Sequence, residues 1–234
     1  MGDDFKSRLD AVRARIERAA RRAGRDPGCV TLVAVSKSVP VERLREAIAV
    51  GCRVFGENRV QEAGVKMEAL SGYPGLEWHL IGPLQTNKIK AAIGRFALLH
   101  AVDRLEVAER LDRAARERGL TQAILLEVNV AGEKTKHGFS PDELARVTER
   151  MGALKGIRVL GLMAIPPAAG APEKARPHFR RLRKLAAEAQ ALKIPGVTMR
   201  ELSMGMSGDF EVAVEEGATL VRIGTALFGP RPVG

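Results

Sequence analysis

The sequence predicts an α/β protein, a single-domain (β/α)8 barrel of the TIM type with one extra helix at its N-terminus. Two observations carry this. Eight short apolar or β-branched runs alternate with stretches of helical period, the pattern of a closed parallel sheet wrapped by helices. The 234 residues match one such barrel in length. An open doubly wound sheet is the competing architecture, and the chain lacks the Gly-x-Gly-x-x-Gly turn that such sheets often carry.

Residues 4 to 23 read as an amphipathic helix, with Phe5, Leu9, Val12, Ile16 and Ala20 at steps of three and four. Gly24 and Asp26-Pro27-Gly28 end it. The strands are read at 30–35, 53–56, 77–81, 97–101, 123–129, 158–163, 199–203 and 219–223. Helices are expected near 41–50, 58–70, 86–93, 104–118, 141–153, 173–192 and 208–216. Asp103, Ser140-Pro141 and Pro172-Glu173 supply helix starts. With no linker or low-complexity tract, residues 1–234 form one domain, and 1–28 pack on the barrel as its N-terminal helix. The Pro/Ala-rich stretch 166–172 is read as a surface loop.

Composition narrows the function classes. The charged fraction is 28%, and no apolar run approaches the roughly 20 residues of a membrane-spanning helix. The first residues have no apolar signal core, and Cys29 and Cys52 have no metal or disulfide spacing. These features point to a cytoplasmic protein without a metal site. The net charge of +10 is spread over many helices with little aromatic surface. It reads as a solvated basic surface that favours anionic small ligands, not as a nucleic-acid site.

In a barrel the active face is built where the strands end. Strand one ends at Ser36-Lys37. Glu57-Asn58 follow strand two, His79 lies in strand three, and Lys136-His137-Gly138 follow strand five. After strand seven comes Ser203-Met204-Gly205-Met206-Ser207-Gly208-Asp209. Arg222 lies in strand eight, before Gly224-Thr225. Gly- and Ser-rich loops that open helices suit a phosphate. Closure places strand eight beside strand one, so Lys37 stands near that phosphate site. A lysine there serves as a charge partner or as an imine-forming amine toward a phosphate-bearing aldehyde. Pyridoxal 5′-phosphate (PLP) is such an aldehyde, and an inward Arg222 suits its pyridine nitrogen.

These stretches resemble a known family. They are Ala34-Val35-Ser36-Lys37, Phe55-Gly56-Glu57-Asn58-Arg59-Val60-Gln61-Glu62, and 78–88 from Trp78-His79 to Asn87-Lys88. They continue with Gly161-Leu162-Met163-Ala164-Ile165-Pro166, 202–209 from Leu202-Ser203 to Gly208-Asp209, and 221–229 from Val221-Arg222 to Phe228-Gly229. The resemblance, along nearly the whole chain, is to the YggS/PROSC (PLPBP) family of pyridoxal phosphate homeostasis proteins. It implies a barrel like the N-terminal domain of alanine racemase. It implies a Schiff base between PLP and Lys37, with Asn58 and His79 lining the pocket. It further implies Ser203, Ser207, Gly224 and Thr225 around the phosphate, Arg222 at the pyridine nitrogen and Lys136 near the ring.

The implied role is intracellular PLP homeostasis and delivery to PLP-dependent apoenzymes, without catalytic turnover; the single domain makes a monomer the expectation. Alanine racemase draws a second base from another domain. Here the chain ends soon after strand eight, and the only tyrosine, Tyr73, precedes strand three. A low-activity PLP-dependent amino-acid racemase is the alternative. A sugar-phosphate aldolase using Lys37 is a third reading. No hydrolase triad and no metal cluster is expected.

Overall fold

Eight parallel strands close on themselves in the computed structural model, which describes residues 4–133, 137–167 and 170–230. The strands are β1 (Thr31–Val35), β2 (Val54–Glu57), β3 (Glu77–Leu80), β4 (Leu98–Val102), β5 (Gln122–Glu127), β6 (Ile157–Met163), β7 (Val197–Met206) and β8 (Leu220–Ile223). They pair in sequence order. The ring is closed by β1 against β8, from Thr31 opposite Leu220 to Ala34 opposite Ile223.

The helices are α1 (Phe5–Arg22), α2 (Val41–Ala49), α3 (Val60–Ala69), α4 (Ile89–Ala92), α5 (Leu105–Arg116), α6 (Leu144–Gly152), α7 (Arg176–Ala191), α8 (Phe210–Glu215) and α9 (Thr225–Phe228). Helix α1 starts at Asp4, whose carboxylate accepts the Ser7 N–H at 2.7 Å. Its buried stripe is Phe5, Leu9, Val12, Ile16, Ala19 and Ala20. Each large apolar side chain buried this way contributes about 1.5–3 kcal/mol. The helix packs on α8 and α9, with Phe5 against Phe228 and the Arg15 guanidinium over the Phe210 ring.

Side chains alternate along each strand. Val33, Ile81, Leu98, Leu125, Leu160, Met163 and Leu220 fill the barrel interior. The opposite faces, such as Ala34, Phe55, Leu80, Leu162 and Val221, pack in the layer under the helices.

Three boundaries differ from the sequence reading. Strand β7 runs to Met206, through residues whose Gly/Ser content reads as loop. A register shift keeps Met206 paired with Arg222. Gly205 makes this possible: its φ is +91°, and a Cβ there would stand 2.5 Å from the Cβ of Ala213. Strand β5 stops at Glu127, and Val128 makes only an isolated bridge to Phe139. The helix expected at 86–93 is a 3-10 turn (Thr86–Lys88) followed by the single turn α4, after which the chain reverses through Gly94 at φ +73°.

Candidate functional site

The C-terminal ends of the strands open into a cleft of about 320 Å³, within the roughly 300–1,000 Å³ of small-molecule sites. Lys37, Asn58, Ser207, Arg222, Gly224 and Thr225 line it together. They come from four strand ends, Lys37 after β1, Asn58 after β2, Ser207 after β7, and Arg222, Gly224 and Thr225 at the end of β8, and strand closure brings them together. Val35, Ile81, Ile165 and Met206 add apolar wall, and Ile165 and Met206 are exposed at the mouth. Gly82 allows the β2 and β3 loops to touch, since a Cβ there would lie 2.7 Å from the Asn58 carbonyl oxygen.

Ser207 ties two loops together. Its Oγ accepts the N–H groups of Gly224 and Ala226, both at 3.3 Å. The N–H groups of Gly208 and Thr225 have no hydrogen-bond acceptor among the described residues. This corner, with free N–H groups and a hydroxyl, matches the donor needs of an anion.

Arg222 is 4% exposed and points inward from β8. It donates to Ser203 Oγ at 2.5 Å and to the Ala164 carbonyl at 3.0 Å. Burial pushes its pKa down to about 10, against the opposing charges of Glu127 and Asp209. It remains a cation at neutral pH.

Ser203 and His79 stand apart from the cleft-lining group. Both are buried inside the barrel. Ser203 Oγ lies 2.8 Å from His100 Nδ1, and His100 Nε2 lies 3.0 Å from His79 Nδ1. Arginine has no acceptor, so Ser203 accepts from Arg222. We assign its one hydroxyl hydrogen to His100 Nδ1, the hydrogen-bonding neighbour that can accept it. His100 therefore carries its proton on Nε2 and donates to His79, whose own proton sits on Nε2, 3.9 Å from the Glu77 carboxylate. Burial pushes His79 down to about 4. Burial first, then His79 and Arg222, holds His100 well below the usual histidine value. Both rings are neutral, as this one-way chain requires. His100 carries no motif, and the only signal for it is a lone histidine in the apolar run Leu98-Leu99-His100-Ala101. Lys136 lies outside the described residues.

The family model for the alanine racemase N-terminal domain matches residues 7–232. The chain is 50% identical over 224 residues to the pyridoxal phosphate homeostasis protein of Aquifex aeolicus (strain VF5), covering 96% of this chain and 97% of that one. The chain belongs to the pyridoxal phosphate homeostasis protein family. Among solved structures of similar sequence, PipY of Synechococcus elongatus PCC7942 with PLP bound superposes at TM-score 0.80. It is 41% identical, with 92% of this chain and 100% of that chain covered. Alanine racemase of Clostridium difficile 630 shares the fold at TM-score 0.74 and 15% identity, with 99% of this chain but 57% of that chain covered. The homeostasis family thus uses the barrel seen in the N-terminal part of the racemase.

Proposed function

We propose that this protein binds PLP as a Schiff base on Lys37 and acts in intracellular PLP homeostasis, holding the cofactor for delivery. The observation that carries this reading is the placement of Lys37, Arg222 and the Ser207-tied loops in one cleft. The residues fit the group. Lys37 provides the amine, the hydroxyl of Ser207 with the backbone of Gly224 and Thr225 the phosphate corner, and Asn58 a polar wall. Bound there, PLP supplies an aldehyde that condenses with an amine, with loss of water, and an electron-poor ring. Arg222, a buried cation lining the cleft, would be the partner for the ring nitrogen; a cation there would disfavour protonation of that nitrogen and keep the ring a weak electron sink. Ser203, hydrogen-bonded to His100 with His79 behind that ring, is assigned to fixing the guanidinium rather than to the phosphate corner. Lys136 is assigned to the ring by family resemblance.

Catalytic turnover is not part of this reading, and no residue is assigned as catalytic. Relatives carry the name of homeostasis proteins. Tyr73 sits between α3 and β3, at the end of the barrel opposite the cleft, so it supplies no base there. We assign the protein to the cytoplasm, as a monomer whose partners are PLP and PLP-dependent apoenzymes rather than nucleic acid or membrane. Among the described residues no helix is long and apolar enough to cross a membrane. The basic helix α7 spends much of its charge internally: Arg176 pairs with Glu173, Glu215 and Glu216, and Arg180 with Glu216.

Borohydride reduction of the PLP-loaded protein, followed by peptide mapping, tests the assignment. The pyridoxyl label is expected on Lys37, with visible absorbance lost in Lys37→Ala. A label on another lysine overturns it.

A further inference from the structure

Beneath Lys37 lies an ionic cluster that the cleft itself does not use. Lys66 on α3 is 5% exposed. Its Nζ lies 2.7 Å from Glu57 Oε1, 2.7 Å from Glu62 Oε1 and 2.6 Å from the Ser36 carbonyl oxygen. Glu57 is fully buried, and its Oε1 also accepts the Ser36 hydroxyl at 2.6 Å. Glu62 Oε1 accepts the Ser38 N–H at 2.6 Å.

These contacts have a specific geometric meaning. The Ser36 carbonyl belongs to the peptide group before Lys37, and the Ser38 N–H to the peptide group after it. Both planes that bracket the Lys37 Cα are therefore held by α3. Ser38 also sits at φ +60°, a conformation that a non-glycine residue keeps only when its surroundings impose it. The strain and the clamp occupy the same residue.

A buried Lys–Glu cluster is a poor source of stability, because apolar side chains of similar volume often serve as well. Burial raises the Glu57 pKa against the hydrogen bonds from Lys66 and Ser36. For Glu62, burial is outweighed by the bonds from Lys66 and Ser38, which hold it below the usual carboxylate value. The cluster is thus poorly explained as a stabiliser and well explained as an aiming device.

We propose that Lys66 is a positioning residue for Lys37: through the Ser36 carbonyl, and through Glu62 to the Ser38 N–H, it fixes both peptide groups of Lys37 and so directs the ε-amine into the cleft. The proposal rests on the reading of Lys37 as the PLP lysine.

The test separates linkage from docking with two ligands. PLP forms the bond to Lys37. Pyridoxine 5′-phosphate, with an alcohol in place of the aldehyde, only docks. In Lys66→Met, PLP affinity and the rate at which visible absorbance appears fall about tenfold or more, a size ordinary for misaligned reacting groups. Affinity for pyridoxine 5′-phosphate stays at the wild-type value. Glu62→Gln keeps an acceptor but loses the charge on Ser38, and shows the same split with a smaller fall. It decides the matter if Lys66→Met does not fold. Equal losses for both ligands, or wild-type behaviour toward both, overturn the proposal. Wild-type protein labelled by borohydride at a lysine other than Lys37 overturns the functional reading instead, so the two failures are distinct.

Discussion

Ser203 accepts a 2.5 Å hydrogen bond from Arg222 and lies 2.8 Å from His100 on its other side. One hydroxyl therefore joins the cation at the floor of the cleft to a pair of neutral histidines in the barrel interior. Ser203→Ala removes the acceptor for one guanidinium nitrogen and the donor to His100 without adding bulk. Unsatisfied buried groups of this kind cost about 1–3 kcal/mol. A loss of that size in urea unfolding of the apo-protein is the expected result. Unchanged stability, with reduced affinity for inorganic phosphate, would return Ser203 to the phosphate site.

Ser207 plays the opposite part, at the cleft surface. Ser207→Ala frees the N–H groups of Gly224 and Ala226 and loosens the contact between the β7 and β8 loops. PLP affinity is expected to fall about tenfold, the equivalent of one good hydrogen bond. Competition by inorganic phosphate should weaken in parallel. Titration calorimetry with both ligands measures this, and an unaltered phosphate affinity contradicts it.

A holding role for the cofactor predicts little chemistry on amino acids. Chiral chromatography of L-alanine incubated with the PLP-loaded protein should show no steady racemisation above that of free PLP. Conversion at enzyme-like rates, of order 1–10³ per second, would replace the carrier reading with the racemase one.

The buried histidines give a signed pH dependence. In the folded protein His79 is pushed down to about 4 and His100 lies well below 6.5, so both are neutral near pH 6. In the unfolded chain both protonate near their ordinary value. The unfolded state binds more protons in this window, so their contribution is complete above about pH 6.5 and is lost as pH falls, by about 1.4 kcal/mol per unit for each ring. Glu57, Glu127 and Asp209, each raised by burial, act in the reverse sense, since their protons are held more tightly when folded. The informative quantity is the difference between wild type and His79→Gln. Between pH 7 and 5 the variant's stability should fall less steeply, by about one proton per unfolding event. Parallel curves would remove His79 from the account.

Much of the site was legible because a barrel sends every strand end to one face. Lys37, Asn58, Arg222 and the Gly-Ser stretches meet once the eight units are counted, since period and strand polarity are local properties of the chain. Ser203 and Ser207 look alike in that reading, four residues apart in one polar stretch. The register shift in β7 separates them, placing one beside the histidines and the other at the mouth. That shift depends on pairing with β8, a contact that the local pattern does not encode.

The same limit hid Lys66. Its spacing from Glu62 is that of an ordinary solvated helix pair, and nothing local marks it as the residue beneath Lys37. The sequence by itself determined the eight-fold alternation, the parallel barrel and the residue types at the strand ends, because those follow from short-range periodicity and turn chemistry. The tertiary structure alone decided which polar groups are buried together: Arg222 with Ser203 and the histidines, Lys66 with Glu57 and Glu62. Burial and hydrogen-bond partners are set by closure and packing between distant segments, and they separate the groups that line the cleft from the polar groups buried behind it.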